Sequence, residues 1–429
     1  MSRSARDLLV RGIAAAKDKA ADEARFYLEW VLRIDADPQQ QVQARLWLSR
    51  IEDVPQKKRK QLETALAIDP WNPEVRRELA ILDGRLNPEE VIDPNKPLPT
   101  PTAETTDGPT SAKAQRFTCP RCSGNMTFIA GDNVLRCAYC GYEQHPRDVA
   151  LPHQPLRERD FTVAMATIEG HVQPVGTQTL ACRGCGASFL LPRDVLSLTC
   201  SYCGSSHVVE LRDTRQLVPP EGVIPFAVPL GVARQAMRTW FRRKKLKGVK
   251  MTPIRGMYWP AWTFDLGGEI RWWTSVEGER KQIAHQIYED DILVPASRKL
   301  PEDLALGTLL HYRLSAIVPY DEGYLADWPA EVYEISVSDA SLVARRIALN
   351  KFRQDMQRHL ERMSHNVLSL DTSEMIVESF KLVLLPLWVA HYRYNETDYI
   401  IAVNGQTEKV QAQEPVRGLR RLLGSLWET

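Results

Sequence analysis

Cys119-Pro-Arg-Cys122, Cys137-Ala-Tyr-Cys140, Cys182-Arg-Gly-Cys185 and Cys200-Ser-Tyr-Cys203 hold all eight cysteines of this 429-residue chain. The gap from Cys122 to Cys137 equals the gap from Cys185 to Cys200, so the second quartet repeats the first 63 residues later. Two such pairs about fifteen residues apart suit a zinc ion bound by four thiolates. Cysteines two residues apart reach one ion from a tight turn, and a second turn across a hairpin completes the tetrahedron. A ribbon of about thirty residues buries too little apolar surface to fold alone, so the metal supplies the missing stability. The expectation is two Zn2+ ions: one on Cys119, Cys122, Cys137 and Cys140, the other on Cys182, Cys185, Cys200 and Cys203.

Disulfides and a redox dithiol are the competing readings. No secretory-signal pattern opens the chain, and cytosolic disulfides are rare. A redox site uses one Cys-x-x-Cys pair at a helix start, not four in matched couples. A four-thiolate site has no open coordination position, so catalysis by the metal is not expected.

Working outward from the cysteines, each quartet brackets a hairpin. Met126 to Arg136 carries a Gly131-Asp132-Asn133 turn between apolar strands, and residues 160–169 between the ribbons suit a short helix. Tyr139, Tyr142 and Tyr202 lie beside the knuckles, where they shield metal or stack on bases. Upstream, Leu28, Leu32 and Ile34 recur as Leu62, Leu66 and Ile68, a shift of 34 residues that is the tetratricopeptide period. Five helices fit, at about 4–18, 21–35, 39–52, 56–69 and 73–85. They imply a surface for protein partners. Residues 87–116 are proline-rich and read as a flexible linker that lets the helices move freely.

Downstream the pattern alternates between strand and helix. A helix over 230–247 has Val232, Ala236, Trp240 and Phe241 as its apolar stripe, and a long helix over 339–363 uses Leu342, Val343, Ile347, Phe352, Met356 and Leu360. Pro260/Trp262 and Pro386/Trp388 suggest two related units, each a helix feeding a strand hairpin, with the tryptophans as core anchors. Asn404-Gly405 between apolar runs predicts a two-residue type I′ turn. No acidic residue occurs between Glu221 and Asp265, whereas Arg234, Arg238, Arg242, Arg243, Lys244, Lys245, Lys247, Lys250 and Arg255 all do. That patch can meet nucleic-acid or lipid phosphates, or only solvent. Residues 416–429 form a short basic amphipathic tail.

Fold class follows as multidomain: an all-α TPR-like N-terminal module at 1–86, the linker at 87–116, zinc ribbon 1 at 117–145, and a connector at 146–179. Zinc ribbon 2 at 180–212 and an α+β domain with antiparallel strands at 220–415 complete the order before the tail. Net charge is +1, with 44% hydrophobic and 25% charged residues, which disfavours a protein that coats nucleic acid wholesale. The longest apolar run, Val223 to Ala233, contains two prolines and is too short to span a bilayer. Phosphate-binding loops, His-Glu-x-x-His and Gly-x-Ser-x-Gly are absent, so no enzyme is nominated.

Residues 117–412 resemble a bacterial family of double zinc-ribbon proteins, described as TFIIB-type or primosomal-helicase-like. Its landmarks here are the four knuckles, Gly222-Val-Ile-Pro-Phe226, Gly256-Met-Tyr-Trp-Pro-Ala-Trp262, Val294-Pro-Ala-Ser-Arg-Lys-Leu300, Ala330-Glu-Val-Tyr333 and Val403-Asn-Gly-Gln-Thr407. Relatives commonly have Gly where this chain has Glu408. No helicase motor accompanies the ribbons. The resemblance implies membrane-organising partners, although the membrane-spanning helices common in the family are missing here. The functional expectation is a non-enzymatic zinc-binding adaptor, cytoplasmic or peripheral at the inner membrane face. The alternative is nucleic-acid binding through the ribbons and the basic patch.

Overall fold

Pro38, Pro55 and Pro73 each open a helix, where a missing amide hydrogen leaves no bond unmade. Asp37 and Asn72 cap two of these helices by accepting from the amides of Gln40 and Val75. The computed structural model describes residues 5–34, 36–92, 119–124, 126–146, 156–171, 180–181, 188–190, 197–199, 206–208, 218–276, 279–326, 328–331, 333–361 and 366–415. Its N-terminal region is five helices: α1 (Ala5–Lys17), α2 (Ala21–Arg33), α3 (Pro38–Ile51), α4 (Pro55–Ile68) and α5 (Pro73–Leu82). Consecutive helices pack on one another around Leu8, Leu28, Val31 and Leu48, and then around Val42, Leu46, Leu62 and Val75.

The first cysteine region forms a three-stranded antiparallel sheet of β1 (Met126–Ile129), β2 (Val134–Cys137) and β3 (Glu143–Gln144). The expected turn lies between β1 and β2, with Gly131 at φ 94° and Asn133 at φ 56°. The connector supplies β4 (Arg159–Asp160) and α6 (Phe161–Ala166). In the second cysteine region only β5 (Leu180–Ala181), β6 (Ser188–Leu190), β7 (Ser197–Thr199) and β8 (Ser206–Val208) are described. Cys182, Cys185, Cys200, Cys203 and Tyr202 lie outside the described residues, as do 93–116 of the linker, residues 117–118 and the 416–429 tail.

The C-terminal region runs β9 (Gly222–Val223), α7 (Leu230–Arg243), β10 (Lys250–Met251), β11 (Arg255–Val276), β12 (Glu279–Pro295), α8 (Glu302–Leu309), β13 (Val318–Pro319) and β14 (Ala330–Glu331). It ends with α9 (Val337–Glu361), β15 (Asn366–Tyr394), β16 (Thr397–Asn404) and β17 (Val410–Ala412). β11 and β15 pair antiparallel as the axis, with β12 on the far edge of β11 and β16 then β17 beyond β15. The two Pro-x-Trp motifs sit in separate hairpins, β11–β12 after α7 and β15–β16 after α9, and the first strands of the two hairpins pair with each other. They lie side by side: Trp259 opposes Leu385, and Pro260 and Pro386 sit one residue beyond that pair on their own strands, a local two-fold relation. Trp259, Trp262 and Trp388 are buried, as core anchors should be.

On one face α8 covers Met257, Trp259, Leu385 and Leu387 with Leu304 and Leu309. On the other, α7 packs beside Tyr258, Trp388 and Tyr392, and α9 lies farther along on Trp262, Phe264 and Phe380. Both helices keep much of the expected stripe, with Ala236, Trp240 and Phe241 of α7 and Val343, Ile347, Phe352 and Met356 of α9 against the core, but each is rotated from the expected centre. α7 buries Ala233, Met237 and Trp240, and leaves Val232 37% exposed. α9 buries Ala340, Ala344 and Ala348, whose small side chains let the helix approach the sheet closely, while Leu342 faces out at 66% exposure.

The type I′ turn is also elsewhere. Asn395 and Glu396 join β15 to β16 with φ of 49° and 64°, the double positive φ that such a turn demands. Asn404 and Gly405 instead open a longer loop. The Asn404 side chain there accepts from the amides of Gln406 and Thr407, and the Gly405 amide donates to Pro386 O at 2.8 Å. A Cβ on Gly405 would stand 2.7 Å from that oxygen.

The helical region does not hang free. Arg85 pairs with Asp160 at 2.8 Å and the Ile92 amide donates to Ala166 O at 2.8 Å, while Trp71 lies against Gly267 and Glu378. These contacts tie α5 and its flanks to the sheet, unlike the loosely tethered module the proline-rich spacer implies. No helix among the described residues is long and apolar enough to cross a membrane.

Candidate metal centre

Two tight turns build the first cysteine cluster. In the first, the Cys119 amide donates to Gly124 O and the Ser123 amide to Cys119 O, both at 2.8 Å. In the second, at the end of β2, the Cys137 amide donates to Tyr142 O at 2.8 Å and the Gly141 amide to Cys137 O at 3.1 Å. The four Sγ atoms of Cys119, Cys122, Cys137 and Cys140 consequently lie within 4.8 Å of one another. Cys119 to Cys140 and Cys122 to Cys137 are each 3.5 Å. A disulfide needs about 2.05 Å. Zn–S bonds of about 2.3 Å in a tetrahedron place sulfurs about 3.8 Å apart, so spacing and donor chemistry both fit Zn2+.

The thiols are already differentiated. Cys137 is lowered to about 6, first because the Cys140 amide points at its sulfur, an effect that the Tyr139 amide reinforces and burial opposes. The Gly124 amide favours the Cys122 thiolate, yet the neighbouring sulfurs of Cys140 and Cys137 push it up to about 12. Several sulfurs at this spacing resist joint ionisation until a divalent cation neutralises them. Zn2+ bound here supplies a fixed four-way crosslink and offers no site to a substrate. Tyr139 lies over the first knuckle, because a Cβ on Gly124 would overlap its ring, and the Arg121 guanidinium sits 6.0 Å from the Tyr142 ring. Tyr139 is nevertheless 81% exposed, whereas Tyr142 packs against the apolar cluster that includes Cys119 and Cys137.

The other end of the ribbon is not a free surface. Met126, Phe128 and Leu135 are buried in one apolar cluster with Val228, Met237, Tyr258, Tyr324 and Trp388 of the C-terminal region. Hydrogen bonds fix the same junction: Gly131 N to Phe226 O at 3.0 Å, Phe128 N to Ala326 O at 3.2 Å, and Trp328 Nε1 to Phe128 O at 2.9 Å. Nothing in the hairpin's alternation marks it as a core element, because its partners lie about a hundred residues or more away.

The basic residues divide into groups. Arg234, Arg238, Arg242 and Arg243 are exposed along α7, and Lys245, Lys247 and Lys250 are exposed just after it. Lys244 pairs with Glu414, and Arg255 is half-buried at the start of β11.

A polar cluster inside the sheet escaped the sequence reading. Lys381, 3% exposed, reaches Glu158 at 2.9 Å and Asp291 at 2.8 Å. Beside it Ser379 donates to Asp265, which also accepts from the Asp291 amide at 2.8 Å. Burial pushes the Asp265 carboxyl up to about 6 against the pull of those two donors, with the Glu158 charge adding to the rise. The carboxylates of Asp265, Asp290 and Asp291 lie within 4.8 Å of one another, and the Lys381 ammonium pairs with Asp291 of the three. The signal was present as Lys381 and Asp265, charged residues inside otherwise apolar strand runs. The cluster fastens the connector to the sheet, because Glu158 immediately precedes β4.

Residues 119–145 match the family described as the PriA DNA helicase Cys-rich region (CRR) domain. The chain is also 27% identical over 336 residues to "Uncharacterized protein YdjG" of Bacillus subtilis (strain 168), covering 70% of this chain and 90% of that relative. No solved structure matches. Matched sequence and sulfur geometry together make residues 119–145 a zinc ribbon with one four-cysteine centre.

Proposed function

We propose that the chain is a non-enzymatic zinc-binding adaptor that brings protein partners together. An exposed aromatic on α2 carries this reading: Phe26 is 59% exposed and stands T-shaped against the half-buried Tyr27 and Trp30, with ring centroids 5.4 and 5.5 Å away. An exposed aromatic ring held in place by half-buried aromatic neighbours presents apolar area at little entropic loss, as a protein-contact hot spot does. The 34-residue recurrence supports taking α1–α5 as two TPR-like repeats and a closing helix. Zinc on Cys119, Cys122, Cys137 and Cys140 then braces the frame that carries this surface. A second Zn2+ on Cys182, Cys185, Cys200 and Cys203 belongs to the same reading through the repeated spacing. Peripheral attachment at a cytoplasmic membrane face, with membrane-organising partners, rests on the family resemblance alone.

The test is affinity capture from native lysate with quantitative mass spectrometry, comparing the full chain with a Val10→Ser, Phe26→Ser variant. Both positions are exposed, so folding should survive. Selective loss of a reproducible partner supports the adaptor role. An unchanged protein set, or none with either form, opposes it. Flotation on anionic vesicles with and without residues 417–429 tests attachment separately.

A further inference from the structure

The outward face of α7 is built at a local disadvantage. Arg234, Arg238 and Arg242 recur at every fourth residue, which places like charges over one another on a single stripe, an arrangement that weakens a helix. Arg242 and Arg243 in the last turn favour the helix dipole, but Arg234 near the first turn opposes it. Helix stability therefore explains the end of the stripe and not its beginning.

None of these four arginines, nor Lys245, Lys247 or Lys250, has an ion-pair partner among the described residues. Many exposed arginines elsewhere do: Arg33 with Glu29, Arg136 with Glu143, Arg393 with Asp398. Glu408 and Glu414, carboxylates close to α7, line a groove on its neighbouring face, where Lys244 meets Glu414. The opposite side of the helix is fixed by buried Ala233, Met237 and Trp240, so the stripe is held on a rigid support.

We infer that this face of α7 binds the phosphate backbone of nucleic acid. Arginines four residues apart advance about 6 Å along the axis, and a guanidinium engages phosphate through paired donors that a lysine lacks. A helix that rests on a membrane needs apolar side chains beside its cations. Here Arg234, Arg238 and Arg242 are exposed beside Gly231, Gln235 and Thr239, which border that groove. The large apolar side chains near them, Leu230 and Val232, are each 37% exposed and confined to the first turn, too little to seat the helix in a membrane. Contacts of this kind fix position without reading sequence, so duplexes of unrelated sequence bind alike.

The experiment is fluorescence anisotropy of the zinc-loaded full chain with a labelled random-sequence DNA duplex between about 50 and 200 mM NaCl, the range over which counterion release is read. The test variant is Arg234→Gln, Arg238→Gln, Arg242→Gln; Arg393→Gln removes a paired surface arginine as the control. Each lost phosphate contact flattens the salt slope by about 0.9, so the triple variant should lose about 2.7 of slope and on the order of a hundredfold in affinity near 0.1 M salt. The matching triple lysine variant keeps the charge and should keep most of the slope. An unchanged melting temperature in the glutamine variant excludes unfolding as the cause. Absence of duplex binding at the lowest salt overturns the inference, as does binding that the triple variant leaves intact. Capture by phosphatidylglycerol vesicles without DNA binding overturns it too.

Discussion

Replacing Phe128 with alanine should weaken the C-terminal region, not only the ribbon that contains it. Phe128 is 1% exposed, its ring stands edge-on to Tyr324 at 5.4 Å, and both its amide and its carbonyl bond across the junction. Truncating a buried phenylalanine removes about 3–5 kcal/mol. Set against a domain stability of about 5–15 kcal/mol, that is a large share. At about 2–4 °C per kcal/mol for a domain of this size, the melting transition should fall by roughly 10 °C. Tryptophan fluorescence follows it directly, because the Trp328 indole donates to Phe128 O and the Trp328 and Trp388 rings lie 5.4 Å apart. Zinc content should stay at the wild-type level, since the knuckles sit at the opposite end of the hairpin. A tryptophan transition that does not move, with an intact ribbon, would refute a shared core.

Lys381→Met strands Asp291 and Glu158, and urea unfolding should show a loss of about 3 kcal/mol, the low end for a broken buried pair because Glu158 is half exposed. Gly405→Ala drives a Cβ towards Pro386 O at 2.7 Å and the Phe226 ring at 2.8 Å, so about 1–3 kcal/mol should go in the same assay. Asp265 titrates at about 6 when folded and near 3.9 unfolded, so the folded chain alone keeps the proton between those values. Stability from this group therefore falls as pH rises from about 4 to about 6. Asp265→Asn should remove that slope from the pH profile, whereas Glu158, held low chiefly by Lys381, acts below its ordinary carboxylate value. Metal analysis should find two zinc ions per chain, falling to one in Cys119→Ser, Cys122→Ser.

Local chemistry was legible from the residues, and distant packing was not. Cysteine spacing located the centre because the turns that aim its sulfurs are written within a few residues. The helices of α1–α5 were legible because their apolar residues recur with helical spacing and a 34-residue period, and prolines open the last three. What failed depends on partners far along the chain. Phe128 and Leu135 look like any hairpin's apolar face until Val228 and Tyr324 arrive. Leu342 outranks Ala344 in hydrophobicity, yet close approach to the sheet selects the alanines. Asn404-Gly405 carries the composition of a hairpin turn, but the Pro386 carbonyl and the amides of Ala227 and Val228 claim Gly405 instead. Lys381 reads as an interruption in an apolar strand until Glu158 and Asp291 are set beside it.

Hydrogen exchange with and without a zinc chelator tests most directly whether the metal-bound ribbon is part of the C-terminal core. Removal of the metal should raise exchange across 119–146 and also at 218–229 and 320–328, where the junction hydrogen bonds are made, while α1–α5 keep their protection. Opening of 119–146 with unchanged protection at 218–229 and 320–328 would contradict it.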